Sequence, residues 1–257
     1  MKLTFLGSGT SFGVPVIGCG CRVCHSADPR DRRTRSGALV EVGDRSLLID
    51  APPELRLQLV AAGVSRLDEV WITHPHADHV HGLDDLRIFS VRSGRDVPVH
   101  LAEEHAGEIR RRFSYAFDGT PAHSGTTKPQ LRLHPFAPGA EVRVLDRPVR
   151  PLPVPHGSMT VYGLRVGSLG YVTDGKRLPP PVLESLRGVK VLVLNALWWG
   201  DPHPTHFNVE EAIEAARTVG AERTFLTHLT HRVGHAELAA RLPDGIEPAH
   251  DGLVVDL

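Results

Sequence analysis

The sequence predicts an α/β protein in which two β-rich halves, each followed by helices, form two sheets packed between helical layers. Short apolar runs bounded by turn residues predict the strands, and apolar residues at helical spacing predict the helices. Histidine and aspartate residues recur just after several predicted strands. Because loops at strand ends commonly carry functional side chains, we expect a functional site there.

The first half of the chain alternates short strands with helices. The predicted strands are Lys2 to Leu6, Ala38 to Val42, Ser46 to Ile49, Glu69 to Ile72 and Val97 to Leu101. A helix from Glu54 to Ala62 follows two prolines, which a helix start tolerates, and Gly63 ends it. A second helix extends from Glu103 to about Phe113. Residues 118–130 lack apolar periodicity, which predicts a loop or a mobile cover.

The second half predicts a further series of strands with two helices. Its strands are Arg143 to Leu145, Val149 to Val154, Val161 to Val166, Leu169 to Val172, Val189 to Leu194, Arg223 to Leu226 and Leu253 to Asp256. Asn208 and Glu211 resemble a capping box that opens a helix ending at Val219, and another helix covers Ala236 to Arg241. The length of 257 residues suits one large domain, which we expect here, although length alone also permits two.

The segment from Thr73 to His79 concentrates metal-ligand chemistry directly after a predicted strand. It contains His74, His76, Asp78 and His79, side chains that suit zinc, manganese and similar ions. An isolated histidine is ordinarily a surface or hydrogen-bonded core residue. Four such side chains close together would be unfavourable without a cation, so the segment predicts a metal site that can hold two ions side by side.

All three cysteines fall within six positions, at Cys19, Cys21 and Cys24. An odd number this close together cannot connect distant parts of a secreted fold through disulfides. Three thiolates suit a tetrahedral structural zinc site, which needs one further ligand from elsewhere in the chain. A redox pair or unligated buried thiols are the alternatives.

Composition limits the partner classes. Lysine and arginine total 29 against 30 aspartate and glutamate residues, and this formal net charge of -1 does not predict a stable nucleic-acid complex. A small anionic substrate is compatible with it. The apolar run at Leu3 to Leu6 is too short for a signal peptide, and no run approaches membrane-spanning length. We therefore expect a cytoplasmic protein without membrane contact; a homodimer is possible, although oligomeric state has no distinctive signal.

Three later segments extend the histidine cluster, because His156, Asp174 and His228 each follow an apolar run. With these residues and the motif His-x-His-x-Asp-His at 74–79, the chain resembles the metallo-β-lactamase superfamily, whose fold is an αββα sandwich. The resemblance implies a binuclear site of two divalent ions, zinc or manganese. The implied ligands are His74, His76 and His156 for one ion and Asp78, His79 and His228 for the other, with Asp174 as the bridge.

The cysteine segment 19–24, which follows Gly7-Ser8-Gly9-Thr10, narrows the resemblance to the PhnP-type phosphoribosyl cyclic phosphodiesterases. That family carries a structural zinc there, and its fourth ligand corresponds to His231. His25 and His235 are weaker candidates. His25 adjoins Cys24 and would strain a tetrahedral site, whereas His231 would clamp the amino-terminal loop to a distant segment.

The loop from Pro202 to Phe207 leads into the capped helix and bears two histidines. The same resemblance implies that His206 binds or protonates the phosphate, although a plain capping loop is the alternative. His203 has no matching role and remains open. Arg30, Arg32, Arg33 and Arg35 could steer an anion, but a run of charges is ordinarily a solvated surface, which we favour.

The function that the resemblance implies is hydrolysis of a small cyclic phosphodiester, with Asp78 and His206 as catalytic residues. Phosphoribosyl 1,2-cyclic phosphate is the implied substrate, with 2′,3′-cyclic nucleotides as secondary substrates. Three rival functions are a tRNase Z-like nuclease, a biosynthetic protein like PqqB, and a metal-binding scaffold without catalysis.

Overall fold

The computed structural model describes residues 1–257 as two seven-stranded sheets packed face to face. The strands are β1 (Lys2–Gly7), β2 (Gly37–Val42), β3 (Arg45–Ile49), β4 (Glu69–Trp71), β5 (Val97–Ala102), β6 (Leu131–Phe136), β7 (Val142–Val144), β8 (Arg147–His156), β9 (Met159–Val166), β10 (Leu169–Val172), β11 (Val191–Asn195), β12 (Arg223–Thr227), β13 (Ile246–Pro248) and β14 (Val254–Asp256). One sheet has the order β14-β1-β2-β3-β4-β5-β6 and the other β13-β12-β11-β10-β9-β8-β7.

Eight helices cover the outer faces of the sheets. They are α1 (Leu55–Ala61), α2 (Ala77–Val80), α3 (Arg87–Ser93), α4 (Glu103–Arg112), α5 (Ser114–Phe117), α6 (Pro180–Leu186), α7 (Val209–Val219) and α8 (His235–Arg241). The predicted αββα sandwich is confirmed. None of these helices has the length and apolar character needed to cross a membrane.

Alternation along the strands divides the apolar side chains among three layers. In β3, Leu47 and Ile49 face the core between the sheets, while Leu48 packs under the first set of helices. In β11, Val193 faces the same central core and Leu194 packs under the second set. Successive side chains of a strand point to opposite faces, so strands covered on both sides read as continuous apolar runs.

The two sheets are joined by hydrogen bonds as well as by apolar packing. The indole Nε1 of Trp71 donates to the carbonyl oxygen of Tyr162 at 2.8 Å, and Tyr162 N donates to Thr73 O at 3.0 Å. The Trp71 ring also stacks on Phe136 at 4.7 Å between centroids. These contacts set the position of the segment that follows β4, where the histidine cluster begins.

Strand direction brings the candidate residues to one edge of the sandwich. In the first sheet, β3 pairs in parallel with β4. In the second, β10, β11 and β12 are parallel, and β8 has the same direction because both β8 and β10 are antiparallel to β9. The carboxyl ends of β3, β4, β8, β10 and β12 therefore open towards a common edge.

A buried carboxylate ties the two ends of the chain together near that edge. Asp251 accepts hydrogen bonds from the backbone N–H and hydroxyl of Ser8 at 2.9 and 2.7 Å, and from those of Thr34 at 2.7 and 2.6 Å.

Just beyond Ser8, Gly9 forms isolated β-bridges with Arg35 and Leu229. A Cβ on Gly9 would lie 2.8 Å from the carbonyl oxygen of Arg33. This close backbone approach requires glycine there.

Most predicted elements are confirmed, including the irregular stretch 118–130 and the capping box at Asn208. The elements α2, α3, α5, α6, β6 and β13 were not predicted. Helix α3 buries Phe89 and Ser90 while Ile88 and Val91 are exposed, so it has no clean apolar stripe. Strand β6 contains Pro135, which suits only an edge strand and weakens its signal.

We expect Asp251→Ala to lower the free energy of unfolding by about 2–4 kcal/mol, because four donors would lose a charged acceptor in a buried site. Urea denaturation followed by circular dichroism measures the change. Asp251→Asn keeps one acceptor oxygen and should lose less. An Asp251→Ala protein as stable as the wild type would contradict this role.

Candidate metal centre

The segment after β4 folds into an extended stretch and one helical turn that present four ligand-type side chains. His74 and His79 are fully buried, and His76 is half-buried. His74 Nε2 lies 2.9 Å from His76 Nδ1. Helix α2 begins after His76, so Asp78 and His79 project from its first turn beside the two preceding histidines.

The other sheet supplies three more side chains from strand ends. His156 is the last residue of β8, Asp174 lies two residues beyond β10, and His228 directly follows β12. Asp174 and His228 have φ angles of 54° and 58°, in the left-handed region that few non-glycine residues adopt. Such backbone conformations cost of order 1–3 kcal/mol and cluster at functional sites.

The structure gathers all seven side chains into two adjoining groups. One group is His74, His76 and His156, and the other is Asp78, His79, Asp174 and His228. Within each group the candidate ligand atoms lie within 4.8 Å of one another.

Asp174 lies between the two groups. Its Oδ1 is 3.5 Å from His79 Nε2 and 3.3 Å from His228 Nε2, both in the second group. Its Oδ2 is 3.9 Å from His74 Nε2, in the first group. The two oxygens of one carboxylate thus face different groups, so Asp174 is placed where one side chain can contact ions held by both groups.

The donor set fits divalent cations. His79 Nε2 and both ring nitrogens of His228 are buried and have no hydrogen-bond partner. Buried polar atoms are nearly always satisfied, so the orphaned Nε2 atoms of His79 and His228, which both face Asp174, indicate a cation site. Ligand atoms about 2.0–2.2 Å from a shared ion lie about 3–4 Å apart. The contacts of Asp174 Oδ1 with His79 Nε2 and His228 Nε2, at 3.5 and 3.3 Å, fall in that range. Zinc, manganese and iron all accept nitrogen and carboxylate ligands of this kind.

Burial and neighbouring charges keep most of the seven ligand side chains in the protonation state that binds metal. Burial lowers the pKa of His228 to about 4 and also lowers that of His74, so both imidazoles are neutral near pH 7. Burial alone would raise the pKa of Asp174, but His228 and His79 outweigh it and hold this pKa well below its usual range. Neutral imidazole and ionised carboxylate are the forms that bind metal.

His79 behaves differently because three carboxylates surround it. Burial would lower its pKa, but Asp174, Asp50 and Asp78 raise it well above its usual value. A positive charge is therefore stabilised at this position, and a cation bound at Nε2 would replace the proton there.

Asp50 is the site residue that sequence analysis missed. It directly follows β3 with a φ of 62°, is buried, and accepts from Thr73 N at 2.8 Å. Its Oδ2 lies 2.7 Å from His79 Nδ1, which orients that ring so that Nε2 faces Asp174. Carboxylates hold ligand histidines in this way in many metal sites. The sequence does contain a signal for Asp50, because an acidic residue just after an apolar strand is the same pattern that identified Asp174.

His206 lies at the edge of the centre. Its Nε2 is 3.2 Å from Asp174 Oδ2, and its ring packs against His156 and His228 at centroid distances of 4.7 and 5.0 Å. The loop is fixed by the bond from Phe207 N to Gly175 O at 2.9 Å. His203 contacts His206 from the outer side, at 5.0 Å between ring centroids.

The three cysteines and His231 form a second ligand group. Cys19 Sγ and Cys21 Sγ lie 3.3 and 3.4 Å from His231 Nδ1. His25 is exposed and approaches only the carbonyl oxygen of Cys21, and His235 packs against His250, so neither joins the group.

The interpretation of the arginine run as solvated surface was wrong for Arg33. Its side chain has no exposed area, and its guanidinium donates to the carbonyl oxygens of Thr230 and Val233 at 2.7 and 3.0 Å and pairs with Asp31. Arg30 and Arg32 are exposed as expected. A buried arginine is tolerated in this loop because backbone carbonyls and a carboxylate accept hydrogen bonds from its two terminal nitrogens, while its Nε has no partner.

The fold and the site agree with the family comparison. A family model described as a beta-lactamase superfamily domain matches residues 45–229. The chain belongs to the metallo-β-lactamase superfamily. A crystal structure of a new diphosphatase from the PhnP family is similar over 100% of this chain and 97% of that one, with 36% identity and a TM-score of 0.89.

Two relatives found by sequence similarity have names that describe different activities, and this chain covers different shares of their lengths. An octanoyltransferase of Porphyromonas gingivalis is 38% identical over 98% of this chain, yet the match covers 51% of that protein. The chain therefore spans about half the length of that relative. A ribonuclease Z of Methanopyrus kandleri is 26% identical, with 89% of this chain and 94% of the relative covered.

We expect Asp50→Asn to weaken metal binding at the histidine centre about 10- to 100-fold, because His79 loses the charged partner that orients it. Competition with a chelator measures the affinity. Glu69→Gln is the matched control, since Glu69 forms a similar 2.7 Å contact with His100 in the same sheet but outside the ligand groups. Equal losses in both variants would contradict a specific role for Asp50.

Cys21 should be reactive in chelator-treated protein. The hydrogen bond from Cys24 N, with help from His231, lowers the pKa of this thiol to about 6. Because the thiolate is the nucleophile and forms above that pH, alkylation by iodoacetamide should rise between pH 5 and 7 with a midpoint near 6. Added zinc should suppress the reaction. A midpoint near that of an ordinary thiol would contradict the prediction.

Proposed function

We propose that this protein is a metal-dependent phosphodiesterase that hydrolyses small cyclic phosphodiesters such as phosphoribosyl 1,2-cyclic phosphate or 2′,3′-cyclic nucleotides. The observation that carries the proposal is the placement of Asp174, with one oxygen beside each of two histidine-containing ligand groups. This geometry suits two ions a few ångströms apart. Two-metal sites of that kind catalyse phosphate ester displacement in many enzymes.

In this proposal the seven residues hold two divalent ions, zinc or manganese. When bound, such ions lower the pKa of a shared water and offset negative charge on the phosphoryl oxygens. The cysteine group with His231 holds a zinc that has a structural role, since thiolates prefer softer ions and four protein ligands leave no open position.

The remaining steps belong to the protein side chains. Asp78 retains 13% side-chain exposure, more than its group partners, so it faces the approaching substrate and orients the attacking water. His206 is also partly exposed, with its Nε2 directed at the centre from 3.2 Å. It donates a proton to the oxygen that leaves phosphorus. Asp50 and Thr73 keep His79 in place during the reaction.

The relatives support phosphate ester chemistry. The diphosphatase from the PhnP family and the ribonuclease Z both match nearly their full lengths, and both names describe cleavage at phosphate groups. The octanoyltransferase name describes a protein with about as much chain again outside the match. Because this chain matches only half of that protein, its name does not support octanoyl transfer by this chain. The hydrolysis that we propose rests on the other two relatives.

A nuclease like ribonuclease Z is the second candidate, because the match covers 94% of such a protein. Net charge favours the small substrate, since a formal charge of -1 provides little attraction for an RNA backbone. A scaffold role without catalysis does not account for a partly exposed His206 whose Nε2 is directed at the centre.

The test is an assay of metal-loaded protein on phosphoribosyl 1,2-cyclic phosphate, 2′,3′-cyclic nucleotides and precursor tRNA, with zinc and manganese supplied separately. We expect hydrolysis of the cyclic esters with little cleavage of the RNA. Efficient tRNA cleavage at low enzyme concentration would favour the nuclease. Inactivity on every cyclic ester would overturn the proposal.

His76→Ala should abolish hydrolysis and reduce the bound metal while leaving the circular dichroism spectrum unchanged, because His76 is a half-buried ligand and not a core residue. His81→Ala is the matched control, since His81 is an exposed histidine at the end of the same helical turn. Full activity in His76→Ala would contradict its ligand role.

A further inference from the structure

The carbonyl oxygen of Pro75, between the ligands His74 and His76, depends on a single donor. Pro75 is buried, and no backbone N–H donates to this oxygen. The guanidinium Nη1 of Arg112, the last residue of α4, donates to it at 2.5 Å. Because proline has no N–H, this carbonyl is the only backbone hydrogen-bonding group of Pro75. Arg112 therefore satisfies a buried polar group inside the metal-binding segment.

The orientation of the Pro75 carbonyl affects the geometry of the neighbouring ligands. This carbonyl and the backbone nitrogen of His76 belong to one planar peptide unit, so a rotation of the carbonyl moves the His76 backbone as well. The 2.9 Å contact between His74 Nε2 and His76 Nδ1 depends on that backbone position. A buried carbonyl without a donor is costly, so loss of the hydrogen bond would favour a different peptide orientation.

Helix α4 is also tied to the strand pair that carries the third ligand of the same group. In its first turn, His105 Nε2 donates to the carbonyl oxygen of Thr160 at 2.8 Å. Thr160 lies in β9 opposite Pro155 of β8, and β8 ends at His156. The helix therefore connects the strands that position His156 with the peptide of Pro75.

The Arg112 side chain is itself held in place. Its second terminal nitrogen, Nη2, donates to Glu108 one helical turn earlier. The helix is anchored by Ile109, which is fully buried in the apolar layer outside the first sheet, and by Glu104, which accepts from Tyr162 Oη at 2.6 Å. A planar guanidinium held at two nitrogens has a fixed direction, which suits a positioning role.

The two preceding arginines provide a contrast on the same helix. Arg110 and Arg111 are exposed, and neither forms an ion pair or a side-chain hydrogen bond. Three consecutive arginines would ordinarily be interpreted as a solvated surface. Only Arg112 turns towards the metal-binding segment.

We propose that Arg112 is a positioning residue of the candidate metal centre. It holds the Pro75 peptide in the orientation that lets His74 and His76 share one ion with the ligand from β8. The proposal deepens the proposed function and rests on its two-ion centre, because it names a residue that controls the affinity for one of the ions. Since Arg112 acts through a carbonyl in the first ligand group, its loss should weaken the ion of that group and spare the ion of the second.

Competition with a chromophoric chelator measures the affinity for both ions in zinc-loaded protein. We expect Arg112→Ala to weaken the ion of the first group about 10- to 100-fold, as loss of an outer partner of a metal ligand typically does. The ion of the second group should stay within about twofold of its wild-type affinity. Arg112→Lys keeps a cationic donor and should recover part of the loss. Arg111→Ala is the matched control and should bind both ions as the wild type does.

A double substitution identifies which ion responds. His76→Ala protein lacks a ligand of the first group and should retain the ion of the second group alone. Adding Arg112→Ala to it should then weaken the remaining ion no further. Cobalt-loaded Arg112→Ala should also show altered d–d absorption, because these bands report the ligand geometry around the ion. A role limited to folding stability would change neither the absorption nor the ratio of the two affinities.

These metal measurements use no substrate, so they separate this proposal from the proposed function. If the affinity difference is observed but wild-type protein hydrolyses no cyclic ester, only the proposed function fails. The positioning role is overturned if Arg112→Ala binds both ions as wild type and Arg111→Ala do, or weakens both equally. If Arg112→Ala does not fold, Arg112→Lys decides, and an unchanged affinity for the first ion in that variant overturns the role.

Discussion

Burial of the Asp174 carboxylate among imidazoles is the interaction on which the functional edge of this protein depends. A charged carboxylate in the interior is costly unless positive charge or hydrogen bonds compensate it. Here Thr173 Oγ1 donates to one oxygen at 2.6 Å and His79, where positive charge is stabilised, faces the same oxygen, while His206 Nε2 lies 3.2 Å from the other. Residues from both sheets must converge to provide that compensation, so the alignment of the sheets and the chemistry of the edge are linked.

The loop that carries His228 is held by hydrogen bonds to two other segments of the chain. The buried guanidinium of Arg33 binds carbonyl oxygens on the same loop, and Ser8 O accepts from Leu229 N at 2.8 Å. His231 meets the cysteine group only three residues beyond His228. A zinc there would therefore stabilise the position of His228, since metal binding contributes folding energy to loops that have little core of their own.

Some elements of this structure could be predicted from the sequence and others could not. Strands buried on both faces, such as β11, were predicted because their apolar runs are continuous. Helix α3 and the edge strand β6 were missed, because exposed Ile88 and Val91 and the proline at 135 obscure their periodicity. Arg33 was misassigned because neighbouring charges along the chain do not reveal which of them turns inward to meet backbone carbonyls.

The sequence by itself determined the ligand chemistry, because the ligand-type residues form local patterns of residue type and spacing. These patterns are the crowded segment His74 to His79, the strand-end residues His156, Asp174 and His228, and the cysteine triplet. Only the tertiary structure decided that each oxygen of Asp174 faces a different group, that Asp50 orients His79, and that Arg112 holds the carbonyl of Pro75. Those relations join residues far apart in the chain, and they exist because the parallel strands of two packed sheets end at one edge, which no local pattern specifies.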